Sequence, residues 1–197
     1  MMIERSAEIT RTTKETDITV NLKLDGSGQS RIETGIGFFD HMLEGFAKHG
    51  FFDLAVRVKG DLHVDAHHSV EDCGIVLGTA IRQALGDKAG IKRYGSCILP
   101  MDDALCMCTV DLCGRPYFVF DCQFPAEKAG YLDTELVREF FYAISYTCGM
   151  NLHMKMLSGI NTHHMIEAIF KSFGRALDEA AGKDDRIKDV LSTKGSL

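Results

Sequence analysis

The sequence contains the motif His-His-x-x-Glu twice, and the two copies are 96 residues apart. The first copy occupies residues 67–71 and the second occupies residues 163–167. A helix-like apolar pattern follows each copy, and Gly78 and Gly174 correspond at the same spacing. A repeat of this length in a chain of 197 residues indicates an internal duplication. The chain is therefore predicted to fold as two similar halves.

The repeated motif predicts metal binding. Residues i and i+4 share a face of a helix, so His67 and Glu71 can converge on one point. His68 is turned about 100° away and must address something else, such as a second ion or a neighbouring chain. An imidazole nitrogen with a carboxylate oxygen suits Mn, Fe or Zn better than Mg or Ca. A capped polar helix start is the alternative, but two copies in corresponding places favour a metal site.

Composition and charge exclude several classes of protein. The chain is 45% hydrophobic and 25% charged, which is typical of a globular domain. Its net charge of −6 argues against nucleic acid or an anionic membrane as the main partner. No apolar run reaches the length of a membrane span, and residues 1–5 lack the pattern of a signal peptide.

The seven cysteines are expected to be reduced, small core residues in a cytoplasmic protein. A disulfide framework is the alternative, but the number of cysteines is odd. Cys106 and Cys108 have the spacing of a strand pair that shares a face, yet no second pair at zinc spacing follows them.

Apolar periodicity gives both halves the same order of elements. In the first half, strands are predicted at residues 18–24, 30–33 and 54–58, and helices at 38–46 and 70–84. In the second half, strands are predicted at residues 105–109, 117–121 and 152–156, and helices at 136–144 and 166–177. Each half is therefore predicted as β-β-α-β-α, and the fold class is α+β.

Turn and cap residues define the expected boundaries. The segment at residues 30–33 should return as the hairpin partner of the first strand. Gly50 and Gly149 should end the first helix of each half, and Asp65 and Asn161 should cap the second. Residues 86–100 are expected to be a linker.

Two such halves are predicted to pack helix layer against helix layer, which gives two sheets around a four-helix centre. The halves comprise residues 1–90 and 91–183, and residues 184–197 form a polar C-terminal tail.

Differences between the halves indicate specialisation. Lys171 lies on the helical face of Glu167, whereas its counterpart in the first half is Ile75. Arg93, Arg115 and Lys194 lie in segments that could converge with Lys171. Arginine and lysine with backbone and hydroxyl donors are suited to a phosphate monoester. Each residue alone is better explained as a surface residue, but together with Lys171 they indicate an anionic end of the substrate.

Three further polar residues are not assigned a role by the sequence pattern. His41 and His49 lie in the first helical segment, where His41 shares a strong apolar stripe and is also consistent with a structural histidine. Glu15 lies near the start of the first strand region, and from pattern alone it is an edge-strand surface carboxylate.

With these residues in place, the chain resembles imidazoleglycerol-phosphate dehydratase, the lyase of histidine biosynthesis. The resemblance covers nearly the whole chain. Its matching stretches are residues 11–16, 35–50, 65–74, 100–105, 114–116, 161–177 and 192–195. The fold that the resemblance implies is a duplication of two halves, each of the ribosomal protein S5 domain 2-like type.

The resemblance implies a dimanganese enzyme that converts imidazole glycerol phosphate to imidazole acetol phosphate and water. It implies a shell of twenty-four identical chains with sites where subunits meet. The implied metal ligands are His41, His67, His68, Glu71, His163, His164 and Glu167. Glu139 stands where the family can have a histidine ligand, and it is expected to be the eighth.

The resemblance also implies substrate contacts and catalytic groups. The implied substrate contacts are Glu15, His41, His49, His67, Glu71, Arg93, Arg115, His163, Lys171, Ser192, Thr193 and Lys194. The implied catalytic set is Glu15 with the metal-ligating His67, Glu71 and His163.

The chemistry explains these residue types. The departing hydroxyl lies on the carbon attached to the imidazole ring, and the departing proton lies on the next carbon, where it is not acidic. Two Lewis-acidic metals on the ring nitrogens can hold the ring as imidazolate, which can expel hydroxide. Glu15 can then take the acidified proton, and such assistance contributes about 10²–10⁴ in rate.

Two rival functions remain open on the sequence. One is a dimetal hydrolase of a small phosphorylated metabolite, and the other is a metal-binding shell without catalysis. The four cations Arg93, Arg115, Lys171 and Lys194 argue against an inert shell, which has no use for a phosphate pocket.

Overall fold

The computed structural model describes residues 5–197, so residues 1–4, on which most of the signal-peptide prediction rests, lie outside the described residues. In chain order the elements are β1 (Ser6–Thr12), β2 (Thr16–Lys23), β3 (Ser30–Glu33), α1 (Gly37–Gly50), β4 (Asp53–Gly60), α2 (His67–Leu85), β5 (Tyr94–Met101), β6 (Ala104–Asp111), β7 (Tyr117–Asp121), β8 (Lys128–Ala129), β9 (Leu132–Asp133), α3 (Glu135–Cys148), β10 (Asn151–Ser158) and α4 (Thr162–Ala181).

The strands form two equivalent four-stranded sheets, with the orders β1-β2-β4-β3 and β5-β6-β10-β7. In each sheet the last-named strand runs parallel to its neighbour and the other pairs are antiparallel. The α+β class and the duplication are confirmed. Each four-stranded sheet contains one strand more than predicted, because β1 and β5 precede the first predicted strands. The second half also contains a short antiparallel pair, β8 and β9, that was not predicted.

The predicted pairing of residues 30–33 is wrong. The antiparallel partner of β2 is β1, and β3 pairs in parallel with β4 after the α1 crossover. The carboxylate of Asp53, at the start of β4, accepts hydrogen bonds from the backbone N–H groups of Ser27 and Gln29 at 2.8 and 3.1 Å. These bonds hold the turn after β2 beside β4. The predicted linker at residues 86–100 is also wrong in part, since it contains most of β5.

The two helix layers pack face to face, with α1 against α4 and α2 against α3. Corresponding glycines permit both crossings. A Cβ on Gly78 would lie 2.8 Å from the Ile144 carbonyl oxygen, and a Cβ on Gly174 would lie 2.7 Å from that of Phe46. The predicted four-helix centre is confirmed. Between the layers the rings of Phe39, Phe140 and Phe170 contact one another.

Most predicted helix boundaries agree with the structure. The side chain of Asn161 accepts from the backbone N–H groups of His163 and His164, and that of Asp65 accepts from His67. Gly149 ends α3 in the left-handed region at φ 75°. The prediction for Gly50 is wrong, since α1 includes it and Phe51 takes the left-handed position at φ 57°.

The cysteines and the helices give two further observations. All seven cysteines are free, and burial raises the pKa of the Cys73 thiol to about 12. Across residues 5–197, no helix combines the length and apolar character that a membrane crossing requires.

Candidate metal and active site

Three side chains from two helices meet where α1 crosses α4. Nε2 of His163 lies 3.3 Å from Oε2 of Glu167, and Nε2 of His41 lies 3.9 Å from Oε1 of Glu167. One donor atom from each residue falls within 4.8 Å of the other two. Because α1 and α4 run side by side in the same direction, His41 faces the first turn of α4. Two imidazoles and a carboxylate form a donor set typical of a transition-metal site.

Lys171 lies next to this group. Its Nζ is 2.6 Å from Oε1 of Glu167 and 3.7 Å from Sδ of Met101 at the end of β5. Burial alone would raise the pKa of Glu167, but the hydrogen bond and charge of Lys171, with His41 and His163, outweigh it and lower that pKa. The pKa of His49 is lowered first by burial and then by the nearby Lys171 charge. The structure therefore places Lys171 beside the three donors, and the charge of Lys171 acts on His49.

The first half has an equivalent pair at the start of α2. Nε2 of His67 lies 3.5 Å from Oε2 of Glu71, so the predicted i,i+4 convergence is present. Glu15 lies in the tight turn between β1 and β2, and its Oε1 is 3.9 Å from Nε2 of His68. A residue that resembles a surface carboxylate in the sequence is thus adjacent to the first His-His motif.

The second histidine of each motif is oriented by an aspartate that the sequence analysis missed. Nδ1 of His68 lies 3.0 Å from Oδ2 of Asp61, and Nδ1 of His164 lies 2.6 Å from Oδ1 of Asp103. A carboxylate only accepts, so each Nδ1 carries the hydrogen and each Nε2 is left to bind an ion. These hydrogen bonds are the main reason that the pKa of each histidine is raised.

A further aspartate, Asp102, was also missed. It lies in the β5–β6 turn, which is equivalent to the turn that carries Glu15, and its Oδ2 is 3.5 Å from Nε2 of His164. The signal that could have identified Asp102 and Asp103 is their position between two strands, but β5 was not predicted.

Glu139 occupies the position on α3 that is equivalent to His41 on α1. The carbonyl oxygen of Phe46 on α1 faces Gly174, and that of Ile144 on α3 faces Gly78, so Phe46 and Ile144 are equivalent positions 98 residues apart. The same offset of 98 residues relates His41 to Glu139. The carboxylate of Glu139 accepts from Arg138 at 2.8 Å and is not part of the three-donor group. Its role as a ligand remains a prediction.

The remaining predicted contacts form a separate group near the C-terminus. Arg93 donates to Asp111 at 2.7 Å and to the carbonyl oxygen of Leu191 at 2.7 Å, and so contacts the tail. Within the tail, the N–H of Lys194 donates to Oγ of Ser192 at 3.2 Å, with Thr193 between them. The end of the chain, at Leu197, packs on Gly114, and Arg115 follows Gly114 in the turn before β7.

Within one chain, this group is remote from Lys171. Arg93 immediately precedes β5, whereas Lys171 contacts Met101 at the other end of that strand. Eight extended residues span roughly 25 Å. The basic residues that the sequence assigns to one phosphate pocket therefore lie at opposite ends of sheet β5-β6-β10-β7.

The sequence of the chain matches a known protein family. The profile of the family described as imidazoleglycerol-phosphate dehydratase matches residues 34–177. A relative of that name from Lachnoclostridium phytofermentans is 64% identical over 195 residues, which covers 99% of this chain and all of the relative. A relative of the same name from Acetivibrio thermocellus is 61% identical over 195 residues, with the same coverage.

Solved structures agree. The crystal structure of imidazoleglycerol-phosphate dehydratase from Staphylococcus aureus superposes with a TM-score of 0.83 at 39% identity, covering 91% of this chain and 99% of that one. The Pyrococcus furiosus enzyme in complex with (S)-C348 also gives a TM-score of 0.83, at 37% identity, covering 96% of this chain and all of that one. The chain belongs to the imidazoleglycerol-phosphate dehydratase family.

Proposed function

We infer that this chain is a hydro-lyase of histidine biosynthesis, which dehydrates imidazole glycerol phosphate to imidazole acetol phosphate. The observation that carries this inference is the match to relatives of that name over 99% of the chain. The match extends over 195 residues and leaves almost no part of the chain outside it. It favours the dehydratase over a dimetal hydrolase and over an inert metal-binding shell.

Two Mn²⁺ ions per site are the proposed cofactors. The donor set is suited to them: His41, His163 and Glu167 offer donors within 4.8 Å of one another, and Asp61 and Asp103 leave Nε2 of His68 and His164 free. Such ions would supply Lewis acidity to stabilise negative charge on the imidazole ring. The residues that would hold them are His41, His67, His68, Glu71, Glu139, His163, His164 and Glu167.

Glu15 is the proposed acid–base residue. The proton to be removed lies on the carbon next to the one that carries the departing hydroxyl. The Glu15 carboxylate is half exposed at the tip of the β1–β2 turn and lies beside His68, which leaves it accessible to a ligand held by the first motif. Its transfer of that proton completes the loss of water and leaves an enol, which becomes the ketone of the product.

The cations that are proposed to bind the phosphate of the substrate lie in two separate places in one chain. Arg93, Arg115 and the tail residues Ser192, Thr193 and Lys194 lie together, but Lys171 is roughly 25 Å away along β5 in the same chain. One pocket that uses both sets would have to combine residues of neighbouring chains. This separation supports a homo-oligomer with sites between subunits, and we propose a shell of twenty-four chains.

The proposed setting is the cytoplasm, with a small phosphorylated imidazole compound as partner and neither nucleic acid nor membrane. The net charge of −6 supports the exclusion of polyanions, and the seven free cysteines agree with a reducing compartment.

The experiment that tests this function combines metal analysis under anaerobic conditions with a dehydration assay. Protein loaded with Mn²⁺ should contain two ions per chain and convert imidazole glycerol phosphate. Protein stripped of metal should be inactive until Mn²⁺ is restored. Release of inorganic phosphate without dehydration would support the hydrolase instead, and full metal without turnover would support the inert shell.

A further inference from the structure

The turn that carries Glu15 is tied to α2 through the carboxylate of Asp72. Oδ2 of Asp72 accepts a hydrogen bond of 2.5 Å from Oγ1 of Thr16 and a second hydrogen bond from the guanidinium of Arg11. Asp72 follows Glu71 directly and is 8% exposed. Hydrogen bonds to an ionised group are roughly twice as strong as neutral ones, so this contact is a firm attachment between the hairpin and the helix.

The backbone of Glu15 is itself held on both sides. Oγ1 of Thr13 accepts from the N–H groups of Glu15 and Thr16 at 3.1 and 3.0 Å. The carbonyl oxygen of Glu15 accepts from the N–H of Asp61 at 3.1 Å. The turn is therefore a rigid unit, and its placement relative to the metal-binding helix depends on Thr16 and Arg11, which Asp72 anchors.

The second half of the chain lacks this attachment. Its residue equivalent to Asp72 is Ala168, although the adjacent motif glutamate, Glu167, is retained. The β5–β6 turn is held instead by Asp103, which accepts from the N–H groups of Ile160 and Asn161 at 2.6 and 2.9 Å. An aspartate after the motif glutamate is therefore not required for such a helix to form. It occurs in the half that also carries Glu15.

We propose that Asp72 is a positioning residue for Glu15, which holds the β1–β2 turn against α2 so that the Glu15 carboxylate meets the substrate proton. This inference rests on the proposed function, in which Glu15 transfers that proton. Loss of the Asp72 carboxylate should lower kcat by about 10²-fold, since a misplacement of about 1 Å has that effect. KM and metal content should change little, because Asp72 is directed at Arg11 and Thr16.

The test compares three variants of the Mn²⁺-loaded protein with the unaltered chain. Asp72→Ala reproduces the residue of the second half. Thr16→Val changes the shape little and removes the hydroxyl that donates to Asp72 and also contacts Oγ1 of Thr13. Thr19→Val is the matched control. It removes a hydroxyl from the same hairpin, where Thr19 pairs with Thr10 on the exposed face. Asp72→Ala and Thr16→Val should lower kcat at unchanged KM, and Thr19→Val should not.

A double-mutant cycle with Glu15→Gln separates positioning from general support of the fold. If Asp72 acts through Glu15, then Asp72→Ala should add nothing to the loss already caused by Glu15→Gln. Full kcat in both Asp72→Ala and Thr16→Val, with a collapse in Glu15→Gln, would overturn the positioning role alone. It would also be overturned if the fold-loss of kcat in the double variant equalled the product of the losses in Asp72→Ala and Glu15→Gln. Near-normal turnover of Glu15→Gln would overturn the acid–base assignment, and the positioning role with it.

Discussion

The ammonium group of Lys171 donates to the carboxylate of Glu167 across 2.6 Å, while Glu167 also faces His41 and His163. Lys171 has no counterpart in the first half, where Ile75 occupies the equivalent position. One half of a duplicated site thus has an additional cation next to its metal-binding group. A substrate with two equivalent ring nitrogens but one phosphate needs such an asymmetry.

We expect Lys171→Ala to weaken substrate binding and to leave the metal in place. Loss of one charge-assisted contact costs about 1.5–3 kcal/mol, so KM should rise or kcat/KM should fall by roughly 10- to 150-fold. Without Lys171, His41 and His163 still lower the pKa of Glu167, which favours its ionised form for metal binding. Steady-state kinetics and manganese content should be measured together. Lys155→Ala, which removes an exposed lysine paired with Asp121, is the control. Loss of manganese from Lys171→Ala would show that its role is to hold Glu167.

Gly78→Ala and Gly174→Ala should each destabilise the protein. The added Cβ would lie 2.8 Å from the Ile144 carbonyl oxygen in one case and 2.7 Å from that of Phe46 in the other. Overpacking of this kind costs about 1–3 kcal/mol. In Gly45→Ala the nearest atom is Cγ of Lys171 at 3.9 Å, so this control should be neutral or slightly stabilising. Urea unfolding midpoints at equal protein concentration would measure the difference, and equal midpoints would contradict the close-approach argument.

Apolar periodicity predicted the elements with large buried side chains and missed those without them. Strand β2 buries Ile18, Val20 and Leu22 on one face, and its alternation is visible in the sequence. In β1 the one buried residue is Ala7, so the strand lacks an apolar signal. In β5, Gly95 packs directly on the backbone of α4, since a Cβ there would lie 1.9 Å from the Ala176 carbonyl oxygen. In β5, close contact with the backbone of α4 takes the place of a large buried side chain, so the strand has no apolar periodicity by which it could be predicted.

The site was predictable where its geometry is local. His67 and Glu71, four residues apart on one helix, converge as the spacing predicts. Asp61 and Asp103 approach His68 and His164 from loops and turns, and such tertiary contacts have no fixed spacing in the sequence. The distance between Lys171 and Arg93 likewise depends on the direction of β5, a strand that the sequence did not reveal.

Metal removal should change the size of the assembly. The rings of His67 and His68 are at 80° to each other, so the two residues can serve different ions, and ions shared between chains would link subunits. Complete chelation is therefore expected to reduce the particle to a smaller oligomer, and Mn²⁺ should restore it. Light scattering before and after chelation measures this. An unchanged particle size after full metal loss would contradict the link between metal and assembly.

Glu139 is the position at which a carboxylate replaces the imidazole of its structural equivalent, His41. If Glu139 binds an ion together with His67 and Glu71, that ion has one more anionic oxygen and one fewer imidazole than its counterpart. Such a ligand set favours Mn²⁺ over ions that prefer imidazole. The ion pair of Glu139 with Arg138 is partly exposed, and such pairs contribute little stability that would oppose rotation of the carboxylate toward α2.

Glu139→Ala should therefore lower the occupancy of one metal and leave the other nearly full, because the His41 group lies on different helices. Glu139→His should restore occupancy and shift relative affinity toward Zn²⁺ or Co²⁺. Glu135→Ala, which removes an exposed carboxylate one turn earlier on α3, is the matched control and should keep both ions. Metal content per chain after dialysis against Mn²⁺ and Zn²⁺ measures all three. If Glu139→Ala keeps two ions and normal activity, Glu139 is a solvated residue, and water, substrate or another side chain such as His153 must supply the eighth donor.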